Sequence, residues 1–279
     1  MLTTEQKTSY ARDGYLVLPD FCTPAAGAGL RQRARQLVQD YDPDAVRSLF
    51  STDEQTRTSD DYFLASGDNI SFFWEPSALA PDGALLQPKE LALNKIGHAL
   101  HDLDSVFDGF SRTPELAQLA ADLGFRQPAL AQSMYLFKQP YIGGAVTCHQ
   151  DATFLYTDPL TVVGLWFALE DATLENGCLW ALPGGHRQGL KSRFVRDAQE
   201  GTRFIVYDAT PWPTTGLVPL AVKAGTLIVL HGLLPHLSYA NHTPQSRHAY
   251  TLHLLEQTAP YPPDNWLRRA PANPWRGFV

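Results

Sequence analysis

The sequence contains little cysteine. Its 279 residues include three cysteines, Cys22, Cys148 and Cys178, and none of them forms a CxxC pair. A disulfide framework needs paired cysteines, and a cysteine-rich zinc site needs closely spaced ones. The sequence therefore excludes both, and its odd number of thiols is typical of a protein in a reducing compartment.

An excess of positive charge and long apolar runs are also missing. Lys and Arg number 22 against 29 Asp and Glu, so the formal net charge is -7, which argues against nucleic acid or an anionic membrane as the main partner. No apolar run is long enough to span a bilayer, and "MLTTEQKTSYARDG" lacks the apolar core of a secretory signal. The terminal "GFV" differs from a peroxisomal address. We expect a cytoplasmic protein that binds a small molecule, and we infer no obligate protein partner.

The first part of the chain carries helix signals. "TTEQ" at residues 3–6 resembles a capping box, and Gly14 is a suitable helix stop. "TPAAGAGLRQRARQLVQDY" and "TPELAQLAADLG" both open with Thr-Pro, which is typical of an N-cap and a first turn. The polar residues 42–61 are predicted to form a surface loop.

The run "PKELALNKIGHAL" is predicted to be a further helix. In that helix His98 and His101 would share one face, and Lys95 would lie on the solvated surface. The sequence leaves open whether the two histidines are structural or face a substrate.

From about residue 129 the pattern changes to short apolar or alternating runs, such as "TVVGLWFALED" and "AGTLIVLHG", separated by turn formers. Many short strands at this spacing predict a sandwich or barrel. We therefore predict a mainly β protein with flanking helices and a jelly-roll, cupin-like core. A single domain over 1–279 is expected, helical to about 128, jelly-roll over about 129–257, and extended in the tail 258–279.

The stretch "CHQDATFLY" places His149 two residues before Asp151 in a strand-like run, where both would face one side. Such a pair arises readily by chance among 9 His and 29 acidic residues, so a third ligand is needed. His236 is the candidate, because two imidazoles and one carboxylate form the facial triad of non-haem Fe(II) oxygenases. Arg247 would anchor a distal carboxylate through a forked pair of hydrogen bonds, with Ser238 as a second donor.

Other interpretations of these residues stay open at this point. The His-x-Asp pair is also compatible with an ordinary hydrogen-bonded pair. A non-oxidative, cupin-like metal protein or isomerase would have the same ligands but no use for a diacid anchor. A zinc hydrolase is disfavoured because no HExxH motif is present. A halogenase is disfavoured because Asp151 occupies the position that a halide would need.

The stretches "SMYLFKQP", "HQDATFLYTDPL", "ALEDATLENGCLWALPGGH" and "KAGTLIVLHGLLPH" resemble the phytanoyl-CoA dioxygenase family over nearly the whole chain. The resemblance implies a double-stranded β-helix and a dioxygenase that uses Fe(II), 2-oxoglutarate as cosubstrate, and O2. The implied reaction is hydroxylation of a small molecule with release of succinate and CO2. The implied iron ligands are His149, Asp151 and His236, and the implied 2-oxoglutarate contacts are Lys95, Met134, Trp166, Ser238 and Arg247.

Several conspicuous residues have simpler interpretations. Cys148 would point to the strand face opposite His149 and act as a small buried hydrophobe. His231 and His253 lie in apolar strands and are interpreted as satisfied core histidines. His186 follows "PGG" and is expected to be held by the backbone.

The segments least like the family are 41–58 and 187–216, so the substrate is the least determined property. We expect a substrate smaller than phytanoyl-CoA, since the phosphates of a CoA thioester need clustered basic side chains. The basic clusters are Arg31, Arg33 and Arg35 on a predicted helix, and Lys191, Arg193 and Arg196 in a predicted loop.

Overall fold

The computed structural model describes residues 1–42, 48–49, 60–197 and 201–278. The helices in these ranges are α1 Thr4–Asp13, α2 Pro24–Asp40, α3 Asp61–Ala65, α4 Leu100–Leu103, α5 Ser105–Ser111 and α6 Pro114–Asp122. The strands are β1 Tyr15–Leu18, β2 Ser48–Leu49, β3 Ile70–Trp74, β4 Leu93–His98, β5 Pro128–Leu136, β6 Val146–His149, β7 Val163–Ala168, β8 Leu179–Ala181, β9 Ser192–Asp197, β10 Gly201–Val206, β11 Val218–Leu220, β12 Leu227–His231, β13 His236–Ser238 and β14 Ala249–Glu256.

Two antiparallel sheets form the body of the protein. The larger sheet has eight strands in the order β1-β12-β7-β14-β5-β4-β3-β2, in which only the short β2 pairs in parallel. The smaller sheet has four strands in the order β11-β8-β13-β6, and β9 and β10 form a separate hairpin. The fold is a double-stranded β-helix with flanking helices, which confirms the predicted fold class.

Both faces of the larger sheet are covered, which explains its continuous apolar strands. In β7, "VGLWFA", every residue is buried. Leu165 and Phe167 belong to the cluster that also contains Leu30 of α2, whereas Trp166 packs in the cluster that contains Leu179 of the smaller sheet. Alternate side chains therefore point to the helices and to the space between the sheets.

The first helices follow the capping signals closely. The Thr3 side chain accepts a hydrogen bond from the Gln6 amide, and the Gln6 side chain accepts one in return, as in a capping box. Gly14 ends α1 in the left-handed region with φ 83°. The predicted helices beginning at Thr23 and Thr113 are confirmed as α2 and α6.

The helix predicted over residues 88–100 is wrong. This segment forms a short 3-10 helix, Lys89–Leu91, followed by β4. Leu93 and Ile96 of β4 and Leu100 of α4 have helix-like spacing and are buried in one core, but β4 pairs with both β3 and β5, which makes this segment a strand. Tertiary pairing has outweighed local propensity. The description of residues 1–128 as helical is likewise incomplete, since β1 to β4 all belong to the larger sheet.

The tail after β14 lies on the body without helix or strand up to residue 278, and its Trp266 and Leu267 are buried. The predicted loop at 42–61 falls mostly on residues 43–47 and 50–59, which lie outside the described residues. None of the helices in the described ranges has the length and apolar character needed to cross a membrane.

Two glycines give a direct test of this fold. A Cβ on Gly14 would lie 2.5 Å from His186 Nδ1, and its backbone is left-handed. We expect Gly14→Ala to lower the free energy of unfolding by about 1 to 3 kcal/mol. In contrast, Gly29→Ala inside α2 meets nothing within 4 Å and should raise it by about 0.5 to 1 kcal/mol. Urea unfolding of both variants measures the difference, and equal effects would contradict the left-handed turn.

Candidate metal centre

His149, Asp151 and His236 meet at one point between the sheets. His149 ends β6, and His236 begins β13 directly opposite it in the antiparallel register. Asp151 starts a 3-10 helix after β6, so a turn rather than strand alternation brings it to the histidines. Its Oδ1 lies 3.6 Å from both His149 Nε2 and His236 Nε2. The three ligand atoms all lie within 4.8 Å of one another, as a single cation would require.

Backbone carbonyls orient both imidazoles. His149 Nδ1 lies 2.8 Å from the Thr147 carbonyl oxygen, and His236 Nδ1 lies 2.9 Å from that of Leu234. A carbonyl only accepts, so each Nδ1 carries a hydrogen, and Nε2, the nitrogen nearer Asp151, is the position that can bind a metal. Burial lowers the pKa of His236 to about 4, which keeps this ring neutral at pH 7. Two imidazole nitrogens beside a carboxylate form a donor set that fits a divalent transition metal.

Asp151 is held from its other side by His253. His253 Nε2 lies 3.4 Å from Asp151 Oδ2. Burial alone would raise the pKa of Asp151, but His236 and His253 outweigh it, and that pKa lies well below its ordinary value. His253 is buried as a core histidine, as interpreted, but that interpretation is incomplete: its Nε2 contacts Asp151, and its buried Nδ1 has no hydrogen-bond partner among the described residues. The position of His253 in an apolar strand does not indicate this contact. The contact with Asp151 depends on the pairing of β14 with β7 in the folded protein.

A cavity of about 290 Å³ opens beside the three ligands. The five residues that the family resemblance implied as 2-oxoglutarate contacts all line it, namely Lys95, Met134, Trp166, Ser238 and Arg247. Lys95 reaches it from a strand rather than from the predicted helix, with Nζ 3.8 Å from Met134 Sδ and 5.1 Å from the centre of the Phe73 ring.

Arg247 brings a buried charge to this cavity. The side chain is 2% exposed, its Nε donates to the Gly177 carbonyl at 3.1 Å, and its guanidinium lies 5.3 Å from the centre of the Trp166 ring. Its Nη1 is buried and has no hydrogen-bond partner among the residues described. Burial lowers the pKa of Arg247 to about 10, so the group stays charged at neutral pH. A buried guanidinium with an unused donor calls for an anion.

Lys138 is a site residue that the sequence did not single out. Its Nζ donates to Ser238 Oγ at 2.9 Å and to the Gly144 carbonyl at 2.6 Å, directly behind the cavity wall. Burial, together with the charge of Arg247, lowers its pKa to about 6, although Glu75 opposes the shift. The lysine lies inside the quoted "SMYLFKQP" stretch, but a lysine next to a turn is ordinarily solvated, so only the three-dimensional packing identifies it.

Other predicted features take different places. Cys148 was predicted to face away, yet it lines the cavity, and burial raises the pKa of its thiol to about 11. That thiol is therefore protonated and not a ligand at neutral pH. His186 is held by the backbone as predicted, with Nε2 3.2 Å from the Ala11 carbonyl oxygen.

Fold and site together define a class, the double-stranded β-helix proteins with two histidines and one carboxylate at the mouth of the barrel. The family model described as Phytanoyl-CoA dioxygenase (PhyH) matches residues 10–249. The chain belongs to this family, which confirms the resemblance.

Relatives agree over almost the full length. A protein named "Phytanoyl-CoA dioxygenase" from Arabidopsis thaliana is 46% identical over 272 residues, covering 96% of this chain and 94% of its own. "Phytanoyl-CoA dioxygenase domain-containing protein 1" from Mus musculus is 44% identical over 284 residues, covering 98% and 97%. The crystal structure of the epimerase SnoN with Fe3+, alpha ketoglutarate and nogalamycin RO superposes with a TM-score of 0.65 at 19% identity, covering 97% of this chain and 90% of that one. At 19% identity this likeness shows a shared fold and nothing beyond it.

Gly164 of β7 offers a test of the metal centre. A Cβ at this position would lie 2.6 Å from Asp151 Oδ2. Because a carboxylate can swing away, we expect Gly164→Ala to leave the fold intact but to weaken Fe(II) binding by more than about tenfold. Anaerobic titration calorimetry measures the affinity, and Gly29→Ala is the control. Wild-type affinity in Gly164→Ala would show that Asp151 Oδ2 is not held where the geometry places it.

Proposed function

We propose that this protein is an Fe(II)- and 2-oxoglutarate-dependent dioxygenase that hydroxylates a small molecule and releases succinate and CO2. One observation carries the proposal. A three-ligand metal centre and an unsatisfied buried guanidinium share one cavity, as a metal-chelating diacid cosubstrate would require.

His149, Asp151 and His236 would hold the iron. Three protein ligands leave further coordination positions for a chelating cosubstrate and O2. Bound iron would supply the activation of dioxygen and the oxidising power. The protein's own contribution is to fix the ligands: the Thr147 and Leu234 carbonyls set the two tautomers, and His253 holds Asp151 Oδ2 so that Oδ1 faces the histidines.

The opposite end of the cavity would hold the distal carboxylate of 2-oxoglutarate. Arg247 offers Nη1, and Ser238 accepts from Lys138, which leaves the hydroxyl hydrogen of Ser238 to donate. Trp166 packs along the guanidinium, and Met134 and Lys95 close the adjoining wall. These contacts would orient the cosubstrate so that its 2-oxo acid end points to the metal centre.

Arg247 also separates this function from its rivals. A non-oxidative cupin-like protein or isomerase has no use for a buried anion anchor. Apart from hydroxylation, the same centre could support other oxidations, and the epimerase SnoN illustrates that this fold is not tied to one reaction. Asp151 keeps the carboxylate position filled, which disfavours halogenation, and hydroxylation is the reaction that the family resemblance implies. The proposal retains the cytoplasmic location expected from the sequence.

The basic clusters do not favour a CoA thioester as substrate. Arg193 pairs with Asp264 at 2.6 Å, Lys191 pairs with Asp208 at 2.7 Å, and Arg196 donates to the Trp266 and Leu64 carbonyls. On α2, Arg33 pairs with Asp104 and Arg31 with Glu170. These partners support the proposal of a smaller substrate, since most of the candidate phosphate ligands are already engaged.

The function is tested by succinate release. We expect wild-type protein with Fe(II), 2-oxoglutarate and air to release succinate, slowly without substrate and without stimulation by branched or straight acyl-CoAs. Arg247→Ala should raise the Michaelis constant for 2-oxoglutarate by the equivalent of about 2 to 4 kcal/mol, while Fe(II) binding persists. The exposed Arg12→Ala is the control. If iron-loaded wild type releases no succinate, the proposal is refuted. If the Michaelis constant for 2-oxoglutarate is unchanged in Arg247→Ala, Arg247 does not bind the cosubstrate.

Lys138 predicts a pH dependence of cosubstrate binding. With a pKa of about 6 the side chain is mostly neutral at pH 7, and a dianion bound nearby would raise that pKa. The complex therefore takes up protons, and the affinity for 2-oxoglutarate should increase as the pH falls from 8 towards 6. Anaerobic calorimetry in buffers of different ionisation enthalpy measures this uptake. Proton uptake should be smaller in Lys138→Met and unchanged in the exposed control Lys223→Met. Equal uptake in wild type and both variants would show that Lys138 is not the group that takes up the proton.

A further inference from the structure

Two buried histidines near the cavity, His98 and His101, have different surroundings. His101 Nδ1 bonds to Ser133 Oγ at 2.8 Å, and its Nε2 lies 3.1 Å from both the Leu130 carbonyl oxygen and Asp102 Oδ2. His101 thus uses both ring nitrogens inside the protein and is structural. His98 lines the cavity instead.

The tautomer of His98 follows from its hydrogen bonds. Ser66 Oγ donates its one hydrogen to the Phe63 carbonyl at 2.6 Å. The same Oγ lies 2.7 Å from His98 Nδ1, so it must accept there, and Nδ1 carries the hydrogen. The ring then presents a bare lone pair at Nε2.

This acceptor is unsatisfied in the described part of the chain. His98 Nε2 is buried and has no hydrogen-bond partner there. Burial lowers the pKa of His98 well below its ordinary value, and Lys95 and His253 lower it further, so the ring does not gain a proton at neutral pH. A buried acceptor without a donor costs free energy, and ligand binding can recover it.

The walls around His98 are aromatic. Phe63 stacks on Trp266 with ring centres 4.5 Å apart, and Trp266 meets His98 edge-on at 5.2 Å. All three residues line the same cavity as the metal centre. Trp266 Nε1 is buried and finds no acceptor among the described residues. This aromatic compartment, formed by Phe63, His98 and Trp266, therefore contains one buried acceptor and one buried donor that have no partner in the described part of the chain.

The compartment discriminates between classes of ligand. A carboxylate or an ether cannot donate to His98 Nε2. An ammonium can donate, but it would enter the field of Lys95 and Arg269, whose charges already disfavour protonation of His98. A neutral hydroxyl or secondary amide can donate to His98 and accept from Trp266.

We propose that the aromatic compartment binds the prime substrate, and that this substrate is an uncharged molecule whose hydroxyl or secondary amide donates to His98 Nε2 beside an apolar body. The inference rests on the proposed function, because it places this group in the cavity shared with the metal centre. His98 acts as a positioning residue that selects neutral donors.

The test uses small probes on the intact protein, loaded with Fe(II) and 2-oxoglutarate without oxygen. Benzyl alcohol and N-methylbenzamide are the neutral donors, and benzyl methyl ether, benzylamine and benzoate are their matched counterparts. We expect at least one neutral donor to bind wild type about tenfold more tightly than the ether, amine and benzoate, as one buried hydrogen bond allows. Comparison of the first two probes distinguishes hydroxyl from amide.

Two substitutions at position 98 separate the ring nitrogens. His98→Asn keeps a donor near Nδ1 and removes the acceptor, so the preference for neutral donors should disappear. His98→Gln keeps an acceptor near the position of Nε2 and should retain the preference for neutral donors. Ser66→Ala removes the partner that fixes the tautomer and should reduce it, and thermal unfolding checks that each variant is folded.

The outcomes are distinct. A wild type that binds no neutral donor better than the ether, or a His98→Asn variant that keeps the full preference, would overturn the inference. His98 Nε2 would then hold only a buried water. Succinate release by wild type in air is measured separately, so its absence would refute the dioxygenase and leave the binding preference as an independent result.

Discussion

The constraint on which the structure depends is the burial of the Asp151 carboxylate. A charge removed from water is tolerated when it is surrounded by donors or cations. Three histidines from three different strands converge on this group, with His149 and His236 at one oxygen and His253 at the other. Gly164 leaves the space for it on β7. The carboxylate is therefore stable only when β6 pairs with β13 in the smaller sheet and β7 pairs with β14 in the larger one. These two strand pairings bring the residues of the candidate metal centre together.

Groups of opposite charge line the cavity. The Asp151 carboxylate and the two histidines line it together with Arg247, and Lys138 lies behind Ser238. Burial, and after it the neighbouring Arg247, disfavours the protonated form of Lys138, so the proposed anion site has one fixed cation and a mostly neutral lysine rather than two fixed cations. A diacid that chelates a metal at one end and presents a carboxylate at the other matches this polarity. The low-dielectric walls strengthen both interactions.

The sequence predicted the fold class, and it singled out three residues that the structure brings together, but it did not predict all the elements that position them. The capping signals at Thr3 and Gly14 are local, so they were sufficient to locate α1. The strand β4 was predicted as a helix because Leu93, Ile96 and Leu100 have helical spacing, and only the pairing with β3 and β5 makes the segment a strand. Lys138 and His253 were missed for a related reason. Each acts through a contact with a residue a hundred or more positions away in the sequence, and no local pattern encodes such contacts.

The three residues of the aromatic compartment come from separate parts of the chain. Phe63 lies in α3, His98 ends β4, and Trp266 belongs to the tail after β14. The triad and Arg247, by contrast, come from the jelly-roll strands and the segment just before β14. Substitutions in the segments that carry Phe63, His98 and Trp266 can therefore change which substrate binds without disturbing the metal and cosubstrate contacts. The residues proposed to contact the substrate and those proposed to hold the metal and cosubstrate are largely different. Family membership consequently says more about the oxidant than about the molecule oxidised, and the unsatisfied acceptor on His98 is the more direct guide to the latter.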